Sequence, residues 1–163
     1  MAFRKIEGFV EYCELEGIVG PFSRRGCSEA EIAALEDQCK VRLPHSYRTF
    51  LATMGHGMGR LFENDHMCVT YDHVLEVNND FDAYVAREAD FPYPIPNLPD
   101  DAIVIASRLF DVIWFIRCND SEESPVWSFW LSRPNERCET ESVVEWLYGW
   151  AVEAKLLMEG GRL

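Results

Sequence analysis

Histidines beside acids are the first place to look for chemistry in this chain, and its four histidines are His45, His56, His66 and His73. Asp65 precedes His66 and Asp72 precedes His73, pairs that could ligate a metal or exchange a proton. Neither sits in HExxH or in another spacing that fixes a metal, so all four read as ordinary surface histidines. Gly55–Arg60, GHGMGR, has the look of a phosphate loop. It lacks the preceding strand and the GK[ST] ending, and a helix-terminating turn is the better reading. No serine lies in GxSxG, and sequence identifies no histidine partner for any cysteine. The acid pairs Asp100–Asp101 and Glu122–Glu123 read as solvated loop. The aromatic series Trp114, Phe115, Trp127, Phe129 and Trp130 could stack on a ligand, but its alternation is what a sheet interior uses. The expectation is a chain with no catalytic residue, no metal and no cofactor; a small hydrolase built on His66 or His73 is the weaker alternative, open to test by His→Ala changes.

The stronger chemical signal is charge. The formal net charge is −13, and it is uneven: residues 1–62 carry eight acids and eight bases, whereas residues 63–101 carry ten acids against Arg87 alone. Binding to nucleic-acid phosphates needs basic residues to displace counterions, so that class of ligand is disfavoured. Two readings of the acidity stand side by side. It keeps a small protein soluble and monomeric, or it is a face that meets a basic partner and speeds their encounter.

The elements that must position these groups are marked by caps and periodicity. Ser28 with Glu31 is a capping box, so a helix starts at Glu29 with Ile32, Leu35 and Cys39 on one face. Pro44 suits the first turn of a second helix with the stripe Tyr47, Phe50, Leu51 and Met54, ended by positive φ at Gly55 and Gly57. A first helix is expected over Phe3–Leu15, followed by a loop GIVGPFSRRG. Met67–Tyr71 reads as a short strand. Residues 72 to about 89 return to helical period, broken by Asn78, Asn79 and Asp80 into two short helices. Prolines 92, 94, 96 and 99 enforce an extended link. Ala102–Ala106, Leu109–Cys118 and Val126–Ser132 read as consecutive antiparallel strands, the second with apolar residues on both faces and therefore central. Ser142 and Glu145 open a terminal helix that ends at Gly160 and Gly161. The expected fold is α+β: N-terminal helices packed on a small antiparallel sheet with a C-terminal helix, residues 1–163 forming a single domain. The opening MAFRKIEGFVEYCELEG has no unbroken apolar run, so neither signal peptide nor membrane span is expected and the cytoplasm is the default. Cys13, Cys27, Cys39, Cys68, Cys118 and Cys138 show no CxxC pair and read as thiols.

The block SEAEIAALE, a short basic link ending in LP, then SYRTFLATMG and a glycine turn resembles the first half of the SUKH superfamily, which holds bacterial immunity proteins and the fungal cell-wall regulators called Smi/Knr. LPDDAIVI at 98–105, SPVWSFW at 124–130 and the helix opening at Ser142 resemble the rest, although SPVWSFW has only Pro125 where the family usually has a double proline. The resemblance covers about four fifths of the chain. It implies a SUKH-like domain acting as an immunity protein, binding and neutralising a cognate bacterial toxin that is a basic, nucleic-acid-targeting enzyme. The alternative it implies is a housekeeping Smi/Knr-like interaction module with no toxin partner. Charge clustering, not a family motif, selects Glu63, Asp65, Asp72, Glu76, Asp80 and Asp82 as the partner-binding residues.

Overall fold

The computed structural model describes residues 5–63, 66–87, 94–109 and 111–162. Helix α1 (Ile6–Leu15) is followed by β1 (Arg24–Arg25), α2 (Glu29–Cys39), α3 (His45–Met54), β2 (Gly57–Met58), β3 (Met67–Cys68), α4 (Tyr71–Asn79), α5 (Phe81–Ala86), β4 (Ala102–Arg108), β5 (Val112–Arg117), β6 (Val126–Trp130), β7 (Arg133–Thr140) and α6 (Val143–Glu159). Strands β3 to β7 form an antiparallel sheet in sequence order, and β1 pairs with β2 in a separate ribbon. The loop expected after α1 therefore contains a strand, and its Ile18 and Val19 are buried. Residues 1–4, where the first helix is expected to begin, lie outside the described residues.

Alternation along the strands divides the apolar residues between two cores. Ile103, Ile105, Val112, Trp114, Ile116 and Val126 join the stripes of α1, α2, α3 and α6 in the larger core, which includes Phe50, Leu51 and Met54. Val104, Ile113 and Leu131 face the other way and meet Val77, Tyr84 and Val85 from α4 and α5. The sheet is thus covered on both faces, as the two apolar faces of β5 require. This is an α+β fold.

Helix α2 begins with its capping box in place: Glu31 N donates to Ser28 Oγ at 3.2 Å, and Ser28 N donates to Glu31 Oε2 at 2.7 Å. It stops at Lys40, which takes the left-handed conformation at φ 55. The buried Glu36 then locks the joint to α3 by accepting from Leu43 N at 2.9 Å and Arg48 Nη1 at 2.7 Å. Pro44 is the N-cap of α3, one position earlier than its expected place in the first turn, and offers no side-chain cap. Glu122 and Glu123 supply what it lacks. The Glu122 carbonyl accepts Ser46 N at 3.2 Å. Glu123 Oε1 accepts Ser46 Oγ at 2.7 Å, Ser124 N at 3.0 Å and Val143 N, the first amide of α6, at 2.9 Å. The solvated-loop reading of this acid pair is corrected: the Glu123 carboxylate caps the first amide of α6 and holds the Ser46 hydroxyl, while the Glu122 carbonyl takes the orphan α3 amide.

The glycines after α3 work differently from expectation. Gly55 has φ −56, and a Cβ there would stand 2.3 Å from Cys27 Sγ and 2.7 Å from the Leu51 carbonyl oxygen. Close approach, not left-handed geometry, excludes a side chain. Gly57 lies in β2, where a Cβ would meet the Ser23 carbonyl oxygen at 2.7 Å. The left-handed residue of this turn is Gly59, at φ 57.

Strand β7 is absent from the sequence reading. Its sequence RPNERCET has no apolar alternation, because an edge strand needs none on its exposed faces and charges there discourage pairing with other chains.

Candidate functional site

Helix α4 places the first acids. Tyr71, Val74 and Val77 turn inward, which leaves Asp72 and Glu76, one turn apart, on the opposite exposed side. Glu76 Oε1 lies 2.8 Å from Arg87 Nη2, so the one base of the acidic stretch is paired there. The chain then breaks. Asn78 donates to the Val104 carbonyl at 2.8 Å and accepts from Val104 N at 2.8 Å, replacing a strand partner beside the register irregularity between Val104 and Ala106. Asp80 ends α4 and caps α5, its Oδ1 accepting Ala83 N at 2.9 Å. Asp82 is exposed in the first turn of α5. Glu63 is exposed in the turn after β2, 4.0 Å from Arg60 Nε. Asp65 lies outside the described residues. Asp72, Glu76, Asp80 and Asp82 therefore stand on consecutive helices. Asp101, by contrast, is engaged by Arg117 Nε.

The histidines separate into two kinds. His45 and His66 are exposed. His73 and His56 are half-buried and hydrogen-bonded, which corrects their reading as ordinary surface groups. Asp72 faces solvent while His73 Nε2 lies 3.0 Å from Ser107 Oγ, so these neighbours do not form an acid–base pair. Burial holds the His73 imidazole below its ordinary pKa. His56 keeps only 16 % of its side chain exposed, with Nε2 2.9 Å from Glu31 Oε1.

Cys27 joins that pair. Among the described residues Cys27, Glu31 and His56 form the group able to hold a metal ion, each offering a ligand atom within 4.8 Å of the others. Burial, with Glu31 and Asp72 nearby, pushes the Cys27 thiol up to about 12. Hydrogen bonds from Ser28 and then His56 hold the Glu31 carboxyl below the usual carboxylate range. No motif search reaches this cluster, since His56 is 25 residues from Glu31. The single local signal is the i,i+4 spacing of Cys27 and Glu31 across a helix start.

The aromatic strand residues also divide. Phe115 and Phe129 are buried and stacked, centroids 5.1 Å apart. Trp114 packs on Trp146 and Trp150 of α6. Trp130 is 39 % exposed with the Arg108 guanidinium 5.8 Å from its ring centre, on a groove of about 320 Å³ between sheet and α6. Trp130 is thus at the surface, not in the sheet interior that its alternation suggests.

Comparison with families adds one observation. The sequence model of the SMI1 / KNR4 family (SUKH-1) matches residues 26–149, most of the chain. The chain belongs to this family. The SMI1 / KNR4 match runs from the residue before Cys27 into α6, so it contains the whole five-stranded sheet, the exposed acids of α4 and α5, and the Cys27–Glu31–His56 group. Helix α1 and the last turns of α6 lie beyond it. A comparison with curated proteins gives no match. Among the described residues no helix is long and apolar enough to cross a membrane.

Proposed function

We propose that this SMI1 / KNR4 chain is an immunity protein: residues 1–163 act as one domain in the cytoplasm, bind a basic bacterial toxin that attacks nucleic acid, and neutralise it by occlusion without turnover. The observation that carries this reading is the set of exposed carboxylates Asp72, Glu76, Asp80 and Asp82 on two consecutive helices. An enzyme that holds nucleic acid needs a basic groove, and carboxylates presented by two consecutive helices can take the place of phosphates in it. Opposite charge also accelerates capture, which matters when every unbound toxin molecule does damage. Family membership supports the binding role, and of the two histidines on which a hydrolase would be built, His73 is engaged with Ser107 while His66 is exposed.

The test is co-expression with the product of the adjacent gene. Recovery of a stable complex together with survival of cells expressing that product is the expected result. A complex without protection would identify a housekeeping interaction module instead, and absence of any complex would remove the reading.

A further inference from the structure

The geometry points to a zinc site in which Cys27 Sγ, Glu31 Oε1 and His56 Nε2 hold one Zn²⁺ with a water in the fourth position. Around a tetrahedral zinc, with bonds of about 2.0–2.3 Å, ligand atoms sit roughly 3.3–3.6 Å apart. Here all three lie within 4.8 Å of one another and the oxygen–nitrogen pair is at 2.9 Å. Adjustments of about an ångström or less, within reach of side-chain rotation, bring them onto one ion.

The Cys27 thiol is the independent observation. It is 8 % exposed, makes no hydrogen bond among the described residues, and faces the carboxylate–imidazole pair instead of apolar carbon alone. Its surroundings are arranged for contact: the Cys27 amide donates to the Leu51 carbonyl at 2.8 Å, and the missing side chain at Gly55 leaves room for Sγ.

Supporting contacts hold the other two ligands in place. Ser28 N and Ser28 Oγ both donate to Glu31 Oε2, so Oε1 is the oxygen left to turn inward. The His56 ring stands edge-on to Tyr71 at 5.3 Å, and the Tyr71 hydroxyl donates to the Glu31 carbonyl at 2.7 Å. Glu31 is 40 % exposed, which gives the ion a path in. One thiolate and one carboxylate balance the charge of a divalent ion. A sulfur, nitrogen and oxygen set suits zinc over magnesium or calcium, which take oxygen ligands. Binding replaces the thiol S–H bond by a sulfur–metal bond, with the proton passing to solvent, and requires the imidazole hydrogen to reside on Nδ1.

The experiment titrates the full-length, chelator-treated chain with zinc by calorimetry and with cobalt by absorption. One equivalent should bind, cobalt should give a thiolate charge-transfer band, and zinc should raise the melting temperature. Cys27→Ser and His56→Gln should each weaken zinc at least about tenfold and abolish the melting shift, while Cys68→Ser with Cys138→Ser should leave both unchanged. Equal affinity in the His56→Gln chain, or loss only in the Cys68, Cys138 pair, would overturn the site and indicate surface binding. If Cys27→Ser misfolds, a wild-type cobalt spectrum without the thiolate band is equally decisive against it.

Discussion

His73 Nε2 lies 3.0 Å from the hydroxyl of Ser107, so the acidic helix α4 is fastened to strand β4 through an imidazole. Tyr84 completes the contact, its hydroxyl 3.3 Å from the same oxygen and its ring edge-on to the histidine. Burial lowers the His73 pKa in the folded chain, and the opposing influence of Glu76 is smaller.

Acid sensitivity follows from that shift. A histidine neutral in both states at higher pH costs nothing there. Below the ordinary value of 6.5 the unfolded chain takes up a proton that the folded chain resists, so stability falls as pH drops through that value towards the lower folded one. His73→Gln removes the titrating group. Denaturant midpoints at about pH 5.5 and about pH 7.5 should therefore differ less in the variant than in the parent. An equal difference in both chains would place the acid sensitivity elsewhere.

Glu123 gives a sharper prediction because one carboxylate oxygen serves the starts of both α3 and α6. Glu123→Ala orphans the Val143 amide and the Ser46 hydroxyl, and is expected to cost about 1.5–3 kcal/mol in denaturant melts. Glu123→Gln keeps an acceptor oxygen and should cost less than half as much. Equal losses would mean that charge at the helix ends, not the acceptor, is what the position supplies.

Phe50 tests the larger core. It is 2 % exposed and stacks on Tyr47 with centroids 6.0 Å apart. Phe50→Ala is expected to cost ~3–5 kcal/mol, and a loss below about 1 kcal/mol would remove it from the core. Its neighbour behaves oppositely. The buried Tyr47 hydroxyl has no hydrogen-bond partner among the described residues, so Tyr47→Phe should leave the midpoint unchanged or raise it.

What was legible in the sequence is what local chemistry encodes. Ser28 and Glu31 announce α2 because both halves of the capping box lie within one turn. Ser142 announces α6 in the same way, its Oγ accepting Glu145 N at 3.0 Å, yet the reciprocal half differs, since Glu145 Oε2 takes Glu141 N at 3.2 Å. The break between α4 and α5 is legible at Asp80, whose side chain both discourages helix continuation and caps the next one. Glu123 is illegible as a cap because its partners at Ser46 and Val143 are 77 and 20 residues away. The Cys27, Glu31 and His56 group fails for the same reason. Gly55 misleads in another manner: its spacing suggests a left-handed turn, and the packed Cys27 sulfur and Leu51 carbonyl reveal why no side chain fits. Of the candidate contact acids, charge clustering finds the exposed carboxylates but cannot see that Glu76 forms an exposed ion pair with Arg87 or that Asp80 has a capping role.

That capping role decides how the acidic surface is best tested. Asparagine caps a helix about as well as aspartate, so Asp80→Asn with Asp82→Asn removes two charges while α5 keeps its start. Stability is expected to change by no more than about 0.5 kcal/mol, which separates a binding defect from a folding one. With the cognate partner in hand, the double variant should associate more slowly and dissociate at nearly the parental rate, because steering by charge acts on the encounter. Salt should do the same to the parent, since the Debye length falls from ~10 Å at 0.1 M to ~3 Å at 1 M. The two perturbations share a mechanism, so the variant should also respond less steeply to salt. An on-rate indifferent to both salt and substitution would make these acids a device for solubility and move the contact surface elsewhere on the fold.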